Sequence, residues 1–255
     1  MAKSPPRLFV NCSLTIGSII SLQKPQIHYL KNVLRLQSGS LVFLFNGRDG
    51  EWSGSLATER NLISVKVEKL QRPQHDSSGP GLLFAPIKKG PMEVLSQKAT
   101  ELGVSTLLPT ITDFTDVTKS NYDRFRTIAV EAAEQCDRLT VPLIEPPKKL
   151  NERLQVWPEN TKLLFAAESG SAKPIDAALR DVKGKNIRMD WVLAVGPAGG
   201  FSPAEHEILR GLSYAIPVGL GPRLLKAETA AIAALSCWQS ILGDWKKRPI
   251  DRNGE

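Results

Sequence analysis

The hydrophobic positions of this chain follow one rhythm near the amino end and another beyond it. Across residues 7–70 apolar and polar residues alternate, the period of a half-buried strand. RLFVN (7–11) is one short strand, and LVFLF, EWSGSLA and LISVKVEKL supply three more. The turn Asn46-Gly47-Arg48-Asp49-Gly50 after LVFLF is a hairpin signal. Between the first two strands, KPQIHYLKNVLRL places Ile27, Leu30, Val33, Leu34 and Leu36 at helical spacing, with Pro25 near its start. These elements predict a small β-barrel carrying one helix.

The polar stretch QRPQHDSSGPG (71–81) has no periodicity and reads as a linker. Beyond it, strands that are apolar along their whole length alternate with helices. GLLFAPI, VSTLLPTI, TVPLIEP, TKLLFAAE, DWVLAVG and AIPVGLG are the strands. GPMEVLSQKATELG is an amphipathic helix starting at Pro91 and stopping at Gly103. NYDRFRTIAVEAAEQCDR is a longer one with Asn121 as its cap. LNERL and PIDAALRDV are shorter, SPAEHEILRGL opens on a Ser202–Glu205 capping box, and AETAAIAALSCWQSILGDW closes the chain's helices. This alternation predicts an α/β unit whose parallel sheet is covered on both faces. The expected organisation is a β-barrel domain at 1–72, a linker at 73–81 and an α/β domain at 82–255.

Composition narrows the class. The chain has 255 residues, 42% hydrophobic and 23% charged, as in a soluble globular protein. No apolar run approaches the roughly 20 residues of a membrane-spanning helix. Pro5, Pro6 and Arg7 interrupt the amino terminus where a signal peptide would be apolar, so a cytoplasmic location is expected. Cys12, Cys136 and Cys237, like His28, His75 and His206, are scattered without metal-ligand spacing, so neither a zinc site nor a disulfide framework is expected. Net charge is +7 and uneven: residues 1–70 hold nine Lys/Arg against four Asp/Glu, the remainder 24 against 22. A basic first quarter points to a polyanionic partner, or to a solvated basic face.

The chemistry concentrates in glycine-bearing loops. LAVGPAGGFS (193–202) places three glycines and a proline where a buried strand runs into a helix. VGLGPRLLKAETAA (218–231) repeats the arrangement, and LLFAAESG ends a third strand in Glu168-Ser169-Gly170. In α/β sheets ligands bind beyond the carboxyl ends of strands, and glycine lets a ligand approach the backbone. Three such ends are expected to converge on one ligand. The spacing fits neither G-x-x-x-x-G-K-[ST] nor G-x-G-x-x-G, which disfavours an ATP- or NAD-dependent enzyme.

The segments MEVLSQKATELGV, EAAEQCDR, VGPAGGFSPAE and LGPRLLKAETAA together resemble the 16S ribosomal RNA uridine N3-methyltransferases, of the SPOUT (α/β trefoil-knot) class. HYLKNVLRLQSG and FNGRDGEW are similar to that family's amino-terminal PUA-like RNA-binding domain, so the resemblance covers almost the whole chain. It implies a knotted carboxyl-terminal domain, S-adenosyl-L-methionine bent within the loops, and a homodimer with the active site near the subunit interface. It also implies a ribosomal RNA or small-subunit substrate, with the decoding-region uridine 1498 as target. By motif position, donor contacts fall on Phe165, Ala166 and Glu168. Gly196, Pro197, Gly199 and Gly200 form the second wall. Val218, Leu220, Gly221, Arg223, Leu224 and Leu225 form the third. Two positions depart from the family: Ala198 stands where it usually has Glu, and Lys226 where it usually has Arg.

N3 methylation requires loss of the N3 proton and stabilisation of the imide charge, with much of the rate coming from positioning. Arg223 is expected either to stabilise charge on a uracil oxygen or to hold a phosphate or the donor carboxylate. Glu228 is either a base or partner of Arg223, or an acidic residue favoured by a helix N-terminus. Glu131, Gln135 and Arg138, at i, i+4 and i+7, share a helix face. Arg7, Arg35, Lys88, Lys98, Gln135 and Arg138 are the expected RNA contacts, positioning the RNA without reading its sequence. Tyr29, Phe43, Phe45 and Trp52 are either stacking platforms or core, and the face shared by Leu41, Phe43 and Phe45 favours core. Trp238 and Trp245 are expected to pack a core or an interface. Other readings are a knotted methyltransferase with another RNA target and a catalytically silent RNA-binding homologue.

Overall fold

A computed structural model describes residues 5–59, 62–75, 79–116, 121–167, 172–183 and 189–247. The chain divides into two units. One runs to Ser77 and takes in Val130–Val141; the other comprises Ser78–Ala129 and Pro142 onward.

The first unit contains β1 (Arg7–Phe9), β2 (Ile19–Ser21), α1 (Lys24–His28), β3 (Leu41–Phe45), β4 (Glu51–Glu59) and β5 (Leu62–Arg72). They form a five-stranded sheet in the order β1-β3-β4-β5-β2. All pairings are antiparallel except β1 with β3. Leu8 and Ile20 of the two edge strands share one core with Val42, Leu44, Leu56 and Val65, so the sheet curls around its own interior. The alternation is real in β3, but the face differs from expectation. Val42 and Leu44 fill this core, Phe43 is half-buried, and Phe45 turns into a separate cluster with Ala133 and Leu139. The expected helix is also shorter and changes register. After α1 the chain makes a π-turn over Tyr29–Val33, the Leu34 N–H reaching the Tyr29 carbonyl at 2.9 Å. The wider turn keeps Leu30 buried and leaves Val33 59% exposed.

Arg7 sits inside this unit. Its side chain pairs with Glu51, donates to the carbonyls of Ala133 (2.8 Å), Glu134 (2.9 Å) and Arg138 (2.7 Å), and lies 4.5 Å from the Phe45 ring centroid. Burial alone would push the Glu51 carboxyl up; hydrogen bonds from Arg72 and Arg7 outweigh it and hold it below the usual carboxylate range. Ala133 and Glu134 lie at the end of α3 (Tyr122–Gln135), where carbonyls lack intrahelical partners, so Arg7 caps that end.

Glu134 behaves oppositely to Glu51. Burial, aided by Glu131, raises its carboxyl to about 7 against the lowering effects of the Phe9 N–H and Arg7. The folded unit therefore holds this proton at pH values where the unfolded chain has released it. Stability is expected to fall by roughly 2–3 kcal/mol as pH rises from about 4.5 to about 7, and then to level off. Glu134→Gln, which keeps an oxygen for the Phe9 N–H, is expected to abolish that slope and to be more stable than wild type at pH 8. Urea titrations at pH 5 and pH 8 measure both. An unchanged slope in the variant would remove Glu134 as its cause.

The second unit contains β6 (Gly81–Phe84), α2 (Lys89–Glu101), β7 (Thr106–Ile111), the start of α3, β8 (Leu143–Ile144), β9 (Lys148–Lys149), α4 (Leu150–Gln155), β10 (Thr161–Ala166), β11 (Lys173–Pro174), α5 (Ile175–Lys183), β12 (Asp190–Val195), α6 (Pro203–Gly211), β13 (Ala215–Gly219) and α7 (Ala227–Ile241). The sheet is parallel, in the order β11-β13-β10-β12-β6-β7-β8, with β9 paired to β7. Leu82, Phe84, Trp191 and Leu193 face one core, where they meet residues of α2, α5 and α7. Leu83, Leu163, Val192 and Ala194 face another, closed by Phe201 and Leu209. Both faces are covered, which is why these strands read as unbroken apolar runs. Trp238 is in the first core; Trp245 is exposed. No helix among the described residues is long and apolar enough to cross a membrane.

Candidate active site

Strand order brings the ends of β10, β12 and β13 together; Glu168, Ser169 and Gly170, beyond β10, lie outside the described residues. β13, β10 and β12 are adjacent, and their register aligns Phe165 with Ala194 and Ala166 with Val218. Their carboxyl ends therefore lie level at one sheet edge, where an open α/β sheet binds ligands. The Ala167 N–H, bonded to the Val218 carbonyl at 2.9 Å, extends the pairing into the loops.

The 196–200 loop folds on itself. The Gly200 N–H bonds to the Pro197 carbonyl at 2.9 Å, and Gly200 has φ +73°. A Cβ at Gly196 would lie 2.9 Å from the Gly200 carbonyl carbon, closer than packed atoms tolerate. Two of the glycines are thus required by the corner itself. Gly199 is different: it is exposed, and its bare backbone faces outward beside Ala198.

The loop is anchored by the capping box. The Ser202 hydroxyl accepts from the Glu205 N–H at 3.2 Å, and the Glu205 carboxylate accepts from the Ser202 N–H at 2.8 Å. The same carboxylate accepts from the Asp113 N–H at 3.0 Å, while the Ser202 hydroxyl donates to the Asp113 carboxylate. The box was legible in the sequence. Its link to residue 113, in the loop after β7, was not, because nothing local signals a partner 89 residues away. The rule that ligands meet strand ends applies equally to β6 and β7, and would have directed attention there.

The other expected donor contacts sort by burial. Phe165 and Val218 are fully buried near the ends of β10 and β13. Ala166, Leu220 and Leu225 are half-buried against the core, and Gly221 has φ +97°. Arg223 is exposed, and Leu224 is 87% exposed. Glu168 lies outside the described residues. Glu228 is half-buried in the first turn of α7, whose N-cap is Lys226.

The expected RNA contacts are dispersed. Lys88 is exposed at the N-cap of α2, following the carboxyl end of β6. Lys98 pairs with Glu101 at 2.9 Å on its own helix. Arg35 is exposed, but with φ +57° it lies beyond the helix rather than on it. Gln135 is the exposed last residue of α3. Arg138 does not share its face: the helix has ended and Asp137, at φ +63°, turns the chain. Arg7 is 9% exposed, with its donors engaged inside the first unit, so it presents no free guanidinium to a phosphate. Trp52 is half-buried against the barrel core and donates its indole N–H to the Asp49 carbonyl at 2.8 Å. Among the described residues no three His, Cys, Asp or Glu side chains cluster as metal ligands.

A family model described as an RNA methyltransferase domain matches residues 79–239, and one described as an RNA methyltransferase PUA domain matches residues 22–69. The structure of ribosomal RNA small subunit methyltransferase E from Neisseria gonorrhoeae, bound to S-adenosyl methionine, superposes with a TM-score of 0.78 at 26% identity, covering 92% of this chain and 97% of that one. A protein of Legionella pneumophila, in complex with the same cofactor, gives 0.77 at 27% identity, covering 93% and 98%. The parallel sheet with its looped edge, joined to a curled amino-terminal sheet, is the fold of a SPOUT methyltransferase with a PUA-like domain. Ribosomal RNA small subunit methyltransferase E of Rickettsia conorii is 32% identical over 232 residues, covering 90% of this chain and 93% of that protein. The chain belongs to this family of RNA methyltransferases.

Proposed function

We propose that the protein transfers a methyl group from S-adenosyl-L-methionine to ribosomal RNA, and that the acceptor is N3 of a uridine in 16S RNA. The observation that carries this reading is the alignment of the β10, β12 and β13 ends into one glycine-lined edge. That edge fits the donor. Gly199 and Gly221 leave backbone open to close approach, and Leu220, Leu224 and Leu225 offer apolar surface to a purine and a thioether-like chain. S-adenosyl-L-methionine, when bound, supplies an electrophilic methyl group. In our reading Arg223 stabilises negative charge on a uracil oxygen as N3 loses its proton, and Glu228 orients Arg223 or takes that proton. Exposed Lys88 and Arg35 hold phosphates, and affinity for RNA falls as salt rises. We also propose that the protein acts as a homodimer in the cytoplasm, the first of which sedimentation analysis decides.

Ala198 and Lys226 favour a second reading, a methyltransferase of the same fold with another RNA position as target. Ala198 removes an acid from the glycine loop, and Lys226 replaces a planar fork with a point charge. Calorimetric titration with S-adenosyl-L-methionine, with ATP and NAD as controls, tests the site. Methylation of small-subunit RNA from cells lacking the enzyme, followed by mapping of the product base, separates the two targets. Saturable donor binding with 3-methyluridine as product is the expected result. Product at another atom supports the second reading, and donor binding without turnover an RNA-binding role.

Gly196→Ala tests the loop directly. The added carbon must push the Gly200 backbone away, opening the corner. Donor affinity is expected to fall about tenfold or more while the helical content is unchanged, since such strain costs about 1–3 kcal/mol. Unaltered affinity on calorimetry would mean that the donor does not use this wall.

A further inference from the structure

We propose that Phe114 is a substrate-binding residue whose exposed ring stacks a pyrimidine base of the RNA beside the glycine loop. The inference rests on the methyl-transfer reading above and gives it a base-binding surface. Phe114 follows the carboxyl end of β7 and is 47% exposed, although it is a large apolar ring on an otherwise polar turn, Thr112-Asp113-Phe114-Thr115. It abuts the loop: a Cβ at Gly199 would lie 3.5 Å from both Cβ and Cδ2 of Phe114. Any side chain at 199 would pack onto this ring, and glycine leaves that side of it uncovered.

The turn that carries the ring is also fixed. The Thr115 N–H bonds to the Thr112 carbonyl at 3.1 Å, and the Thr112 N–H to the Thr115 hydroxyl at 2.9 Å. The preceding residue, Asp113, is bonded through its N–H to buried Glu205 and through its carboxylate to Ser202. An exposed aromatic ring on a turn fixed at both ends is preorganised to meet a planar partner.

Strand order indicates which partner. The donor edge is made by β13, β10 and β12; β6 and β7 lie on the other side of β12. Phe114 therefore stands on the flank of the glycine loop away from β10 and β13, leaving the space between those loops to the donor. Exposed Lys88 and Lys89 follow β6 on that same flank, where they suit a phosphate backbone. A planar base with a phosphate beside it is the chemistry of a nucleotide in single-stranded RNA.

The test compares Phe114→Ala, Phe114→Leu and Phe114→Tyr in the full-length protein. Donor affinity by calorimetry is expected to stay within about twofold for all three, which also reports that the site is folded. KM for the RNA is expected to rise about tenfold for alanine and leucine, with kcat little changed, and to recover with tyrosine, the range set by one base stacked on an aromatic ring. Leucine matching wild type would overturn the proposal, since an apolar cover would then suffice. A loss of donor affinity would also overturn it, assigning the ring to the donor. If wild-type protein binds donor but methylates no RNA, the methyl-transfer reading fails separately. Emission of Phe114→Trp titrated with oligouridylate then decides the stacking: quenching supports it, and unchanged emission overturns it.

Discussion

Replacing Arg7 by alanine is expected to cost the first unit about 3–5 kcal/mol, the loss seen when one partner of a buried ion pair is removed. The variant leaves Glu51, itself buried, with Arg72 as its remaining partner. It also orphans three carbonyls at and beyond the end of α3 and strips a guanidinium from the face of Phe45. Arg7→Lys is expected to recover little, because one ammonium cannot reach a carboxylate and three separated carbonyls together. Urea unfolding followed by far-ultraviolet circular dichroism measures both. A loss below about 1 kcal/mol for alanine would show that water replaces the guanidinium at those carbonyls.

Arg223→Ala is expected to lower kcat for methyl transfer by about 10²- to 10³-fold with donor affinity nearly unchanged, the size of effect found when one donor to a developing anion is removed. Arg223 is exposed at the end of the β13 loop, so the change is not expected to disturb the fold. The alternative role, a grip on the donor carboxylate, predicts the reverse: weaker calorimetric binding and a near-normal rate at saturation. Arg223→Lys sharpens the distinction, because a point charge supports an oxyanion better than it replaces a two-pronged contact with a carboxylate.

The parallel sheet was legible because its strands are buried on both faces and carry no polar alternation to confuse them. Helix starts were legible where chemistry marks them: Ser202 with Glu205 and Asn121, whose side-chain oxygen accepts the Arg124 N–H at 3.0 Å, cap helices as their types suggest. The three-residue strand β2 was too short to show a period. In β3 the period was visible but not its phase, because the odd face, with Phe45, is covered by residues 133 and 139, far along the chain. Arg7 illustrates the deeper limit. A cation beside two prolines at the chain's start reads as surface, and only tertiary structure supplies carbonyls from residues 133–138 to bury it against. That the ends of β12 and β13 flank the end of β10 was legible from glycine and strand endings. Phe114 was not, since a lone aromatic in a Thr/Asp turn carries no periodic signal.

The placement of β12 has a consequence for how the chain comes into being. β12 pairs with β10 on one side and β6 on the other, so before residues 190–195 arrive, β10 has no link to the β6-β7-β8 group, and β13, which joins β10 to β11, is still to come. β6 and β10 each then lack the neighbour that joins them, and both expose strand edges that invite pairing with other chains. On the ribosome the second unit therefore cannot close until nearly all of it has been synthesised, and the contacts that close it are long-range and slow to form. The strand that carries the 196–200 loop is thus the one that joins the two parts of the sheet, and β13, which carries the other glycine loop, follows it in the chain. Both glycine loops at this edge thus belong to the last two strands to be made, and shortening the chain before β12 would leave an open seam rather than a smaller enzyme.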